Sequence, residues 1–396
     1  MSDNRDLVST IFFRLLGLLS SFGLVILSTQ LLGATGRGYI SLLIADSALI
    51  AILTNILSGS SAMFHMHKFD EGKVFTTAMI WILFSSLICT SIIYLIQPIN
   101  FFLLFWLSFS LSFHSLISNQ LFVNQKFFKG NLLGLIVQLL FFIVLLLFWI
   151  LGVEISWQNY FYIQIVIWIF LSSFFIGKIK IDFLNVSELK EIATYGFRNE
   201  LSYIFQFLSY RVSYFIIYYE LGVNDLGVFG VCIILAESTW VISKSVSTVS
   251  YSKQIVDVLE SESIKRTNRF ASISFYLTLL VIVVIWFIPD QLITSIFSKE
   301  FGNLKVLFLV LSPGILAIAV TNIFGHYFAA KNRQGILILK SFIGFLCSLI
   351  LTPVFIELYH FWGAALAMSV SYLVSSVILV FAYIKETRMN KNSLLY

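Results

Sequence analysis

The chain is 396 residues long with a formal net charge of +5, yet only 11% of it is charged and 59% is hydrophobic. A soluble domain carries about 25% charged residues, and a mean hydropathy of +0.94 leaves too little charge to cover the apolar side chains in water. The composition therefore excludes an ordinary soluble enzyme and a nucleic-acid-binding domain, and points to lipid as the solvent.

A membrane-crossing helix needs about 20 apolar residues. Runs of that kind predict helices near 10–32, 39–62, 76–96, 100–121, 131–151 and 158–177, then 198–220, 226–247, 270–288, 303–329, 335–357 and 361–384. The polar start, residues 1–9, lacks a cleavable-signal pattern. The expected fold is an all-α polytopic membrane protein with about twelve transmembrane helices. Residues 1–177 form an N-terminal six-helix lobe, 178–197 a cytoplasmic linker and 198–396 a C-terminal six-helix lobe. The stretches 178–197 and 251–270 read as short amphipathic helices on the cytoplasmic surface.

Basic residues alternate along this pattern. Lys68, Lys73, Lys126, Lys129, Lys178, Lys180, Arg266, Arg269, Lys331 and Arg333 fall in every second connection, and Lys385 and Arg388 follow the last span. The other connections hold only Arg37, Lys299 and Lys305. The positive-inside rule then puts both termini in the cytoplasm and leaves short outer turns, including Gly33–Gly38 and Glu357–Phe361. The halves echo each other: Leu32-Gly33, Gly38 and Ala45-Asp46 in the first, Leu221-Gly222, Gly227 and Ala236-Glu237 in the second. That spacing suggests a parallel repeat, an arrangement found in transporters.

Charges inside spans are costly and mark function or a partner. Arg14 continues into a small polar stripe of Gly17, Ser21 and Ser28; it either faces an anionic substrate or reaches back to the headgroups. Arg211 shares a face with Tyr214 and Tyr218. Its guanidinium suits phosphate and the rings suit sugars, or else it forms a structural ion pair with Glu237. Gly230, Glu237 and Lys244 recur every seven residues and line one face. Glu237 and Asp46 are the candidates for carrying a coupling ion; charge balance and solvation at the outer mouth are the competing readings.

Asn55, His114, Gln138, Gln164, Gln206, Asn322 and His326 read mainly as interhelical hydrogen-bonding groups. Pro313-Gly314 and Pro353 predict kinks. Cys89, Cys232 and Cys347 sit in apolar runs and read as packing residues. No P-loop, zincin, G-x-S-x-G or EF-hand pattern is present, no metal site is expected, and no cofactor is called for.

Arg14-Leu-Leu-Gly17 followed by Leu31-Leu-Gly-Ala-Thr-Gly-Arg-Gly38-Tyr resembles the first helix pair of Wzx-like polysaccharide (O-antigen) flippases, a branch of the multidrug/oligosaccharidyl-lipid/polysaccharide exporter superfamily. Further matches are Tyr195-Gly-Phe-Arg198, Ser209-Tyr-Arg211, Leu226-Gly-Val-Phe229 and Leu235-Ala-Glu237-Ser-Thr-Trp240. Leu311-Ser-Pro-Gly314, Tyr327-Phe-Ala-Ala-Lys331-Asn-Arg333 and Gly363-Ala-Ala-Leu-Ala367 complete the series. The resemblance implies two lobes around a central cavity lined by the first, second, seventh and eighth helices. It implies a non-enzymatic flippase of the bacterial inner membrane that moves undecaprenyl-pyrophosphate-linked oligosaccharide outward by alternating access. Its partners would be that lipid-linked substrate, membrane lipids, H+ or Na+, and polysaccharide polymerase machinery. The substrate would meet Arg14, Arg211, Lys244, Tyr214 and Tyr218. Ser213 stands where the family commonly has Asp, which shifts the expected titrating acid to Glu237. The alternative is an ion-coupled multidrug or metabolite exporter of the same superfamily. A polymerase or ligase is disfavoured by the short outer loops.

Overall fold

A computed structural model describes the backbone of residues 2–97, 99–177, 180–254, 260–331 and 333–393. Side chains at 1–12, 14, 15, 202, 242, 245, 246, 248–260 and 389–396 are also outside the description. Among the described residues every regular element is a helix. The order is α1 (Ser2–Ser58), α2 (Ser60–His65), α3 (Glu71–Ile96), α4 (Phe101–Val123), α5 (Phe127–Ile150) and α6 (Trp157–Ser173). Then come α7 (Val186–Glu220), α8 (Val223–Gln254), α9 (Glu260–Phe287), α10 (Asp290–Phe297), a single 3-10 turn (Lys299–Phe301), α11 (Leu304–Ala330) and α12 (Gln334–Ser393).

Among the described residues eight stretches are long and apolar enough to cross a bilayer, and two of them, of 50 and 55 residues, have the length for two crossings. The first folds at Gly33 (φ 63°, ψ −169°) and the second at His360 (φ 51°, ψ −134°). With α6, of 17 residues, and α7, the protein is a twelve-crossing helical membrane protein. Large apolar side chains face outward freely, among them Leu95, Phe102, Leu19 and Val166. Such a surface is unstable in water and suited to lipid tails.

The turns are tighter than expected. The Gly33–Gly38 connection contracts to Gly33, because Gly38 is already helical. Gly33 and Gly222 (φ 96°), the first glycines of the two echoed turns, both have positive φ. A side chain would strain that backbone. Arg37, expected in an outer loop, is therefore inside α1 and 3% exposed. It donates to Ser28 Oγ at 3.1 Å and hydrogen-bonds Tyr160, joining α1 to α6. Pro353 does not break α12 and Pro313 does not end α11; the fold in α12 comes at His360 instead. The Gly314 N–H donates to Ser369 Oγ at 3.1 Å, so this group beside Pro313 keeps a partner.

Two compact units divide the chain at residues 204/205, within α7. In the first, α1 packs on α3, α4 and α5, and α4 packs on α6. Apolar contact between helices gains little where lipid is equally apolar, so polar ties matter. Thr54 Oγ1 and Ser112 Oγ lie 2.8 Å apart, His114 Nδ1 and Ser172 Oγ 3.0 Å, and Trp81 Nε1 donates to the Leu53 carbonyl at 3.2 Å. In the second unit α11 is central, touching α8, α9 and α12. Asn322 Nδ2 donates to Ser243 Oγ at 2.9 Å, Ser274 Oγ to the Ala319 carbonyl at 2.8 Å, and Trp240 Nε1 to the Ile315 carbonyl at 3.3 Å.

The stretches expected as separate surface helices are otherwise built. Residues 180–185 form no regular element, and α7 then runs without a break from Val186 through the predicted span. No proline intervenes, and extending a formed helix costs far less than starting one. In the same way α8 reaches Gln254 and α9 begins at Glu260. The first stretch is stapled to unit 1. Lys68 pairs with Glu191, His65 Nε2 is 3.5 Å from the same carboxylate, and Phe64 stacks on Tyr195 at 5.1 Å. A Cβ on Gly196 would overlap the Ile56 carbonyl, so glycine permits that contact. The Lys68 ammonium, hydrogen-bonded to Glu191, holds its carboxyl below the usual carboxylate range.

Candidate functional site

The densest set of predicted site residues lies in unit 2, where α8 packs on α11 and α7 meets α12. Arg211 sits nine residues before the end of α7, about 13 Å along its axis. Its Nη2 is 2.7 Å from Glu237 Oε1 on α8. The Tyr214 ring, one turn on, faces the guanidinium at 5.0 Å. The two charged side chains are 20% and 29% exposed. A bare charge at this depth would be expensive; the carboxylate and the ring offset that cost. Arg211 Nη1 is buried and has no hydrogen-bond partner among the described residues. The guanidinium thus keeps one donor that no group among the described residues uses.

Behind the pair stands an aromatic cluster that sequence reasoning missed. Tyr210, Trp240 and Tyr372 lie with ring centres 5.6 to 5.8 Å apart. Trp240 could have been found from its place one turn after Glu237, but Tyr372, on α12, carried no local signal. Tyr372 and Tyr214 are nearly fully buried. Tyr218 is half-buried, edge-on to Tyr219 at 5.3 Å. Lys244 is exposed, two turns beyond Glu237. Ser213, the departure from the family pattern, is buried with its hydroxyl 3.7 Å from Met368 Sδ. It packs, and adds no charge to the site.

Of the unit 1 candidates, Asp46 lies in the second arm of α1 at 2% exposure, and its Oδ2 has no hydrogen-bond partner among the described residues. It is a core group, not a solvated one. The side chain of Arg14 lies outside the described residues. The softer polar groups divide: His114 and Asn322 make the expected interhelical bonds, whereas Gln164 Oε1 is buried without a partner and Gln206 is exposed. Among the described residues no group of three His, Cys, Asp or Glu side chains could hold a metal ion. Cys89, Cys232 and Cys347 are free thiols.

No family model matches the sequence. A capsular polysaccharide biosynthesis protein of Staphylococcus aureus, CapF, is 24% identical over 165 residues, 41% of this chain; the match spans 42% of that protein. Among solved structures, the lipid II flippase MurJ in an inward closed conformation superposes with a TM-score of 0.75. It is 16% identical, over 96% of this chain and 87% of that one. An inward-facing multidrug resistance MATE family transporter of the MOP superfamily gives a TM-score of 0.71 and 15% identity, over 97% and 96% of the two chains. A MOP superfamily transporter from Pyrococcus furiosus gives 0.55 at 13% identity. These solved structures are of transporters and a flippase, and the chain is a multi-pass membrane protein with the fold of the MOP-superfamily transporters.

Proposed function

We propose that the protein is a flippase for lipid-linked oligosaccharide. It carries undecaprenyl-pyrophosphate-linked repeat units from the cytoplasmic to the outer leaflet of the bacterial inner membrane, for surface polysaccharide assembly. Both termini are cytoplasmic in this reading, and transport follows alternating access. The observation that carries it is Arg211: a guanidinium within a membrane span, faced by Tyr214, held by one carboxylate and keeping a free donor. Pyrophosphate oxygens match the guanidinium fork. Their arrival would displace Glu237, and protonation of Glu237 would ease the exchange, making it the proposed coupling acid. Arg14 and Lys244 are the further proposed cations and Tyr218 a further ring contact. The MurJ and CapF likenesses support the direction of the reading, since one is named as a flippase and the other for polysaccharide biosynthesis. Association with polysaccharide polymerase machinery fits the same role.

The assay is translocation of fluorescent lipid-linked oligosaccharide in proteoliposomes. Folded protein should exceed empty vesicles, and Arg211→Ala should abolish the excess. Equality with empty vesicles refutes the flippase; full transport by Arg211→Ala refutes the site. A second reading, an ion-coupled exporter of cationic drugs or metabolites, is favoured by Asp46, whose buried Oδ2 has no hydrogen-bond partner among the described residues. Drug resistance on expression, with no glycan defect in a deletion strain, would establish it instead.

A further inference from the structure

Unit 1 holds an open-sided cavity of about 420 Å³ between the first arm of α1, the end of α4 and the start of α5. That is within the size range of small-molecule sites, about 300–1,000 Å³. Its useful walls are the rings of Phe13 and Phe122, the hydroxyls of Ser21 and Ser118, the carboxamide of Gln138 and the bare backbone of Gly134. The sequence stripe Gly17–Ser21 faces into it. Gln138 reaches from α5 toward α1 because Gly17 has no side chain there; a Cβ would stand 2.9 Å from Gln138 Oε1. Gly134 opens the floor, since a Cβ added to it would meet nothing within 4 Å.

Three polar groups of this cavity are unspent. Ser21, Ser118 and Gln138 make no side-chain hydrogen bond among the described residues. In a membrane protein such groups normally find partners on neighbouring helices, as Thr54, Ser112 and Asn322 do here. The set offers neutral donors and acceptors together, between two aromatic rings, and no charged side chain lines it among the described residues. Among the described residues a phosphate or ammonium headgroup would find no counter-charge. Sugar hydroxyls, which both donate and accept, match an amide and two hydroxyls, and the apolar faces of sugar rings match phenyl rings.

We infer that this cavity is a binding site for the neutral sugar headgroup of an amphipathic glycolipid. The flippase reading supplies its physiological ligand, a glycan on a prenyl chain, but the site can be tested without it. The probe is dodecyl maltoside bearing a diazirine in its alkyl chain, added to the full-length protein in phospholipid nanodiscs. Photolabel should appear on residues 13–21 and 130–138. Excess dodecyl maltoside should suppress it and dodecylphosphocholine should not. Gly134→Leu, which fills the cavity, should cut labelling at least tenfold in protein whose melting temperature is retained. Gln138→Leu is the second variant, and should cut it in the same direction.

Labelling unchanged by both variants, or suppressed equally by the phosphocholine competitor, would overturn the proposal and leave only a hydrocarbon groove. Proteoliposome translocation separates this from the earlier reading. An unlabelled cavity with intact transport removes the site alone; a labelled cavity without transport removes the flippase alone.

Discussion

The Arg211–Glu237 pair makes a quantitative demand that a double-mutant cycle can meet. Arg211→Ala removes a 2.7 Å charge-assisted contact and a cation–π contact at 5.0 Å. Such contacts are worth about 1.5–3 and 0.5–2 kcal/mol respectively. Glu237→Ala removes the same ion pair but strands a guanidinium that is only 20% exposed. Breaking one side of a buried pair costs about 3–5 kcal/mol, and the partial exposure here places both single variants near about 3 kcal/mol. The double variant strands nothing and should cost little more than either single one, giving a coupling energy of about 2–3 kcal/mol. Reversible unfolding in bicelles, followed by tryptophan fluorescence, reads all four corners of the cycle. Neutral interhelical hydrogen bonds in membranes average about 0.6 kcal/mol. A coupling at or below that level would mean that the two side chains do not hold each other as described, and the displacement of Glu237 by substrate would lose its basis.

Three further outcomes follow from the geometry. Gly33→Ala forces a side chain onto φ 63°, ψ −169° and should destabilise unit 1 by about 1–3 kcal/mol in the same unfolding assay; no loss would mean the turn is built elsewhere. Glu191 has its carboxyl lowered by Lys68, so its contribution is complete above the ordinary glutamate value of about 4.3 and is lost as pH falls through the lowered one. Hydrogen exchange of residues 180–195 should therefore accelerate only at pH below about 4.3, and Lys68→Ala should move that onset upward; an onset insensitive to Lys68 refutes the pairing. Asp46→Asn keeps the shape of a buried acid whose Oδ2 has no hydrogen-bond partner among the described residues, so folding should be retained and, with Glu237 as the coupling acid, any pH or sodium dependence of transport should persist; a flattened dependence would move the coupling to Asp46.

Much of the fold was legible because lipid imposes a simple rule. Each crossing must satisfy its own backbone and show apolar side chains outward, so runs of about 20 apolar residues announce helices. What escaped were features set by continuity or by distant contact. Arg37 read as a loop residue because Leu-Gly-Ala-Thr-Gly-Arg-Gly looks like a turn; a single residue, Gly33, performs the whole turn, and Arg37 falls into the next helix. The bend at His360, by contrast, fell inside the expected outer turn Glu357–Phe361 although no glycine forms it. Asp46 was visible as an intramembrane acid, but its lack of a hydrogen bond depends on what neighbouring helices fail to offer. The ion pair of Arg211 was visible as one of two readings, because Glu237 was recognisable as a second charge at span depth. Tyr372 joined the site only through the packing of α12, which no local pattern encodes.

The stapling of residues 186–199 onto unit 1 has a consequence in time. Ribosomes deliver the chain from its N-terminus at about 5–20 residues per second. When Ser173 closes α6, the partners of Lys68, Ile56 and Ser60, namely Glu191, Gly196 and Asn199, have not yet been made. The first six crossings must therefore wait some seconds at the insertion machinery, with His65 and the Ile56 carbonyl still uncovered. Any quality-control factor that surveys half-built membrane proteins would have its opportunity in that interval, and a stop codon placed just after α6 would leave it permanently open.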